Sequence, residues 1–325
     1  MAEWLYEEGI GENRAILVED GAILEAQIEL PDSGLRAGAV ASGPLAVHVP
    51  GRRGLVTVSG EPVLVEPLPS GLSEGRTVRV LILREAVPEA GRPKPAKGRI
   101  TEEPEQGAPS LLQRIGSPRP LCSVGPDPFE AAGWSELIEE AASGEIPFPG
   151  GALRLSLTPA MTLFDVDGAL PPAELAVAGA AAAARAIRRF GIGGSIGIDL
   201  PTLASKEERR APADAVDAIL PQPFERTAVN GFGFLQIVRR RERSSLPELL
   251  QADPVGAAAR ALLRRAERAT GHGPRRIAAA PAVVRRIEAN PDWLARLSAR
   301  IGAQIELQGD AGLTTWAGHV QSSHI

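Results

Sequence analysis

The chain has 325 residues, 44% of them hydrophobic but only 4% aromatic, with 35 Gly, 29 Pro and a formal net charge of −5. Such a length supports a sizeable core and two to three domains, and the acidic balance excludes a uniformly basic nucleic-acid binder while allowing a local basic surface. A single cysteine, Cys122, excludes an internal disulfide and a zinc site built of cysteines alone, so a soluble protein of the reducing cytoplasm is expected.

The N-terminal segment has neither the basic start nor the apolar core of a secretory leader, and no uninterrupted apolar stretch is long enough to span a bilayer. Residues 14–29 hold two strand-like runs separated by Glu19-Asp20-Gly21, which predicts a β-hairpin joining the core over 1–35. From 36 to 87, short Val- and Leu-rich runs broken by Gly and Pro predict a small β-barrel. Its Arg52 and Arg53, with Arg76 and Arg79, either line a groove for a phosphate backbone or are solvated arginines of a packing barrel; no aromatic platform accompanies them. Composition shifts to Pro, Gly, Lys and Glu after Pro88, so 88–150 reads as linker with short helices at 110–115 and 133–143.

Residues 151–250 carry the chemistry. A Pro-Gly-Gly turn leads into a strand over 161–167, where the period of two puts Asp165 and Asp167 on one face. Pro171-Pro172 and Glu174 suit a helix start, and Gly191 suits its end. The run 195–200 is a second strand ending in Asp199, and a strand, helix, strand connection of this length favours parallel pairing, with Asp199 beside Asp165. Carboxylates gathered at strand ends repel unless a cation sits between them, and Mg²⁺ takes a few such oxygens plus water. The alternative is a set of solvated strand-end acids.

Beyond Asp199, residues 206–220 predict a helix interrupted by Pro212, and the Val/Phe/Ile strand that follows carries a turn at Asn230-Gly231. Between 236 and 286 there are twelve basic residues against four acidic ones. That excess is either a phosphate-tracking surface or a solvated helix face, since Arg260, Arg264 and Arg268 fall at i, i+4 and i+8. Residues 251–325 predict a small α+β domain, with a buried strand in 274–281, helices over 282–290 and 292–301, and closing strands. His48 reads as an ordinary histidine, and His272, His319 and His324 lack the spacing of a metal site. The expected class is α/β, or α+β overall: a mixed-sheet core with an inserted barrel and a small C-terminal domain.

FDVD at 164–167, AAAARAIRRF at 181–190, IGGSIGID at 192–199 and FGFLQIVRRR at 232–241 follow one another with short gaps. In order and spacing they resemble the bacterial ribonuclease E/G endoribonucleases, and residues 36–85 resemble that family's inserted OB-like barrel in reduced form. The resemblance implies a Mg²⁺-dependent endoribonuclease that cuts single-stranded RNA to 5′-phosphate and 3′-hydroxyl ends. Asp165 and Asp199 fall on the family's metal ligands, Asp167 stands where the family has Asn and would assist catalysis, and Arg239 and Arg241 would contact phosphate. No paired cysteines follow Arg243, so a zinc-linked dimer is not expected, although other oligomers are open. The motif for sensing 5′-monophosphates is not recognisable between Arg84 and Trp134. The alternatives are an RNA-binding protein of the same fold without efficient cleavage, and a structural subunit that needs no RNA.

Overall fold

The computed structural model describes residues 1–31, 33–88, 93–121, 127–271 and 273–322. Cys122, His272 and His324 lie outside them. The chain opens with β1 (Glu3–Glu8), β2 (Asn13–Glu19) and β3 (Ala22–Glu29) as an antiparallel meander. Asp20 and Gly21 both take positive φ at the predicted β2–β3 turn, a conformation that suits the twist of a tight hairpin. Leu5, Ile16 and Ala26 face inward and belong to the same apolar core as the central sheet.

The predicted barrel closes, with one strand more than its expected span supplies. It comprises β4 (Val40–Val49), β5 (Arg53–Val58), β6 (Glu61–Val65), β7 (Thr77–Arg84) and β8 (Ala96–Ile100), in the order β4-β5-β6-β8-β7 with β4 paired to β7. A meander of three strands, a parallel β6–β8 pair and closure of the first strand on the fourth is OB topology. Val56, Val58, Val63, Val65 and Val80 alternate inward as its separate core. The fifth strand lies within the stretch read as linker, and closure explains why: β8 pairs with β6 and β7, leaving neither edge open.

More of 88–150 is likewise structure. After α1 (Leu111–Ile115), β9 (Arg119–Pro120) pairs parallel with β1. Next come α2 (Pro128–Ala131), α3 (Trp134–Ser143) and β10 (Glu145–Phe148), and Phe129, Trp134 and Leu137 are buried in the main core. The central sheet adds β11 (Gly151–Leu157), β12 (Thr162–Gly168), β13 (Gly194–Asp199), β14 (Phe224–Arg226) and β15 (Phe234–Arg239), ordered β10-β11-β12-β13-β15-β14.

Between β12 and β13 runs α4 (Pro172–Arg189), started by Pro172, with Glu174 in its first turn and Arg188 and Arg189 in its last, as the helix dipole favours. Its Ala176, Ala180, Ala183 and Ala184 are buried with Leu175 and Ile187, so small side chains bring the helix close to β11 and β12. Against α4 lies α5 (Lys206–Ile219). Contrary to the expected interruption, α5 runs through Pro212. A Ser205–Glu208 capping box secures its start, and Pro212, Ala213 and Val216 are buried together.

The last part has α6 (Leu246–Ala252), α7 (Pro254–Arg268), β16 (Arg275–Ala279), α8 (Pro281–Glu288), α9 (Pro291–Ile301), β17 (Ile305–Gly309) and β18 (His319–Ser322). Its sheet is ordered β17-β16-β18 over its own core, which also takes in Ile10 from the β1–β2 connection. The class is therefore α+β with mixed sheets and a closed barrel. Among the described residues, no helix is long and apolar enough to cross a membrane.

Candidate functional site

The central sheet has two different faces. Thr162, Phe164 and Val166 of β12 and Ile196 and Ile198 of β13 are buried on the face toward α4. The opposite parity is open: Arg154 on β11, Leu163, Asp165 and Asp167 on β12, Asp199 on β13, and Phe234, Gln236 and Val238 on β15.

On this open face Asp165 stands directly across from Asp199 in the parallel β12–β13 pair. Adjacent strands are about 4.8 Å apart and paired residues project the same way, so the two carboxylates are neighbours. Asp199 is exposed and Asp165 half-buried. Asp167 lies two residues beyond the end of the β12–β13 register, and Arg154 Nη1 pairs with it at 3.5 Å. Among the described residues no three His, Cys, Asp or Glu side chains gather as a metal-holding group. The donor set is thus two hard carboxylates, which suits Mg²⁺, an ion that keeps several waters and uses one or two carboxylates.

An aromatic turn borders the pair. Phe234 is the register partner of Asp199, and its ring lies over Gly197, where a Cβ would stand 2.4 Å from Phe234 Cζ. Asn230 Oδ1 accepts from the N–H groups of Phe232 and Phe234, at 2.9 and 3.0 Å, and the Gly233 carbonyl accepts from Leu200 N–H at 3.1 Å. The turn is thereby tied to the residue after Asp199. It presents Phe232 with 85% of its surface exposed.

The four arginines expected to bind RNA do not converge on the carboxylates. Arg239 shares parity with the buried Leu235 and Ile237, so it leaves the opposite face of β15. Arg241 is ion-paired with Glu248. Arg52 sits in the turn between β4 and β5 and Arg53 opens β5, where its Nε donates to the Pro50 carbonyl at 2.8 Å. Among the described residues, no hydrogen bond or ion pair joins any of the four to Asp165 or Asp199.

The helical arginine series is neither solvated nor free to track phosphates. Arg260, Arg264 and Arg268 are largely buried and turn toward the N-terminal sheet. Glu12 accepts from Arg260 at 3.0 Å and from Arg264 at 2.6 Å; Glu7 pairs with Arg268 and, at 2.5 Å, with Arg14; Asp127 pairs with Arg14 and Arg268. The Arg14 guanidinium also lies over the rings of Phe129 and Trp134. Burial pushes the Glu7 and Asp127 carboxyls up, but Arg14 and Arg268 overcome it and hold both below the usual carboxylate range.

Two residues that the sequence does not single out are Arg154 on the open face and Phe232 in the turn that borders it. Arg154 is signalled by the alternation of residues 151–157, which sets it across from Asp165. Phe232 is signalled by an aromatic in an Asn-Gly turn, where nothing local can bury it. No protein-family model matches the chain, and no curated protein matches its sequence. Fold and open face together define the class: an α+β protein with an OB-topology barrel and a carboxylate pair on an uncovered sheet face.

Proposed function

We propose that the chain is a Mg²⁺-dependent endoribonuclease for single-stranded RNA, with Asp165 and Asp199 as the metal ligands. The observation that carries this reading is the registered pair of carboxylates on the open face, at two positions that also match the ribonuclease E/G motifs. Mg²⁺ bound there would lower the pKa of a water and stabilise charge on a phosphodiester, leaving 5′-phosphate and 3′-hydroxyl ends. The chain's own residues supply the rest. Arg154, shared between Asp167 and Glu145, offsets part of their charge on the face where a phosphate would lie. Phe232 offers a π-face to an unpaired base, and the barrel adds a topology that elsewhere binds single strands. The single cysteine fits a cytoplasmic site of action.

A second reading, RNA binding without efficient cleavage, is favoured by the engagement of Asp167 with Arg154, which leaves two carboxylates and no third. The test is incubation of end-labelled single-stranded RNA with the chain in Mg²⁺, beside Asp165→Asn and Asp199→Asn. Cleavage that needs Mg²⁺ and is lost in both variants is expected. Binding without cuts would support the second reading, and no binding at low salt would sink both.

A further inference from the structure

A cleft of about 630 Å³ opens on the far side of the central sheet from Asp165 and Asp199. It lies between β3, the foot of the barrel, the turn after α4 and the segment following β15, and seven arginines line it against four glutamates.

The pairing within it is incomplete. Arg36 and Arg114 share Glu29, at 3.1 and 2.9 Å. Arg188 takes Glu25 at 3.0 Å, and Arg240 and Arg243 share Glu242, at 3.2 and 3.0 Å. Arg243 also reaches Glu85 at 3.5 Å, and Arg241 takes Glu248 from outside the lining. Arg239 remains. Among the described residues its guanidinium has no ion pair, and its hydrogen-bond acceptor is the Ile192 carbonyl at 3.2 Å. One backbone carbonyl uses one of five guanidinium donors, and partial burial of a cation with no ion-paired partner is costly; the carboxylate that acts on it, Glu25, is paired with Arg188. Burial accordingly pushes Arg239 and Arg114 below the usual arginine range, against the opposing pull of Glu25 on Arg239 and of Glu29 and Glu85 on Arg114.

We infer that this cleft binds a small phosphomonoester, its phosphate held by the Arg239 guanidinium and its apolar body resting on Ile28, Pro223 and Leu249. A dianionic phosphate supplies acceptors in the geometry that an arginine fork matches, and the surplus of cations over carboxylates favours a dianion over a neutral ligand. The cleft volume lies within the range of small-molecule sites, several times what a bare phosphate fills. The inference is independent of the nuclease reading, because the sheet separates the two sites.

Isothermal titration of the full chain with phenyl phosphate, inorganic phosphate and benzoate at low ionic strength tests it. Saturable binding is expected for phenyl phosphate, at least about ten-fold tighter than for benzoate and tighter than for inorganic phosphate, with a rise in the unfolding midpoint on binding. Arg239→Gln should weaken phenyl phosphate binding at least about ten-fold, Arg239→Lys should weaken it less, and the barrel-turn variant Arg52→Gln should leave it unchanged. Circular dichroism checks the fold of each variant. Absence of saturable binding to the wild-type chain would overturn the assignment, as would equal binding of phenyl phosphate and benzoate. Should Arg239→Gln fail to fold, equal losses in Arg239→Lys and Arg52→Gln would overturn it as well.

Discussion

At the scale of single residues, the open face separates chemistry from stability. Asp199 is exposed, and Asp165 makes no ion pair among the described residues, so their amide variants should keep the fold while removing the negative charge a cation needs. Asp165→Asn and Asp199→Asn should each abolish Mg²⁺-dependent cutting and shift the unfolding free energy by no more than about 0.5 kcal/mol, the usual range for surface positions. Cleavage assays and urea unfolding on the same preparations check both halves. Phe232 is a sharper case because its side chain touches so little of its own protein. If it stacks on a base, Phe232→Ala should weaken single-stranded RNA binding by about 1–3 kcal/mol with an unchanged unfolding midpoint. Fluorescence anisotropy with a labelled oligonucleotide reads this, and full-strength binding by the variant would remove the ring from the proposed site.

Among the elements, α7 depends on a distant partner. Its arginines are spaced as a surface stripe would be, yet Glu12 on the β1–β2 side draws Arg260 and Arg264 inward. Two buried cations on one carboxylate make Glu12 the weak point of that contact. Glu12→Gln should destabilise the chain by about 3–5 kcal/mol, because it leaves buried guanidinium charge uncompensated. Equilibrium urea unfolding measures the loss, and a change below about 1 kcal/mol would show that water reaches these arginines. Helix α4 works by the opposite principle, burying almost no charge along its alanine stripe and gaining close approach instead. As the crossover between β12 and β13, α4 allows their parallel pairing, which puts Asp165 and Asp199 in register.

For the whole molecule, acid should act through the network that joins the N-terminal sheet, α2 and α7. The folded-state pKa values of Glu7 and Asp127 are depressed, so the unfolded chain takes up these protons first as pH falls. Their stabilising contribution is complete above about pH 5 and is lost as pH drops through the ordinary carboxylate range near about 4 toward the depressed values. Glu85 and Glu140 act in reverse: burial raises both, so their penalty fades as pH falls toward that range from above. The expected profile is a shallow gain in stability from neutrality to mildly acid pH, then a steep loss. Arg268→Gln, which removes a shared partner of Glu7 and Asp127, should move the steep limb to higher pH in urea unfolding across pH.

Much of the candidate site is legible in local pattern. Period-two alternation puts Asp165 and Asp167 on one face, and a single crossover helix makes β13 parallel to β12, so Asp199 follows. The same rule read one strand further would have put Arg239 on the other face, since it shares parity with Leu235 and Ile237 rather than with Phe234 and Gln236. Local pattern also specifies the Asp20-Gly21 turn and most of the barrel, because hydrophobic alternation and turn residues act between near neighbours. It does not reveal β8, whose Pro- and Gly-rich flanks resemble linker until β6 and β7 offer it hydrogen bonds. Nor does it tell a solvated arginine from a buried one: Arg264 is decided by Glu12, 252 residues away, and Arg239 by the cleft that β3 and the barrel foot build around it. Side-chain parity is a property of one strand, whereas the burial of a charge depends on which distant groups the fold brings to meet it.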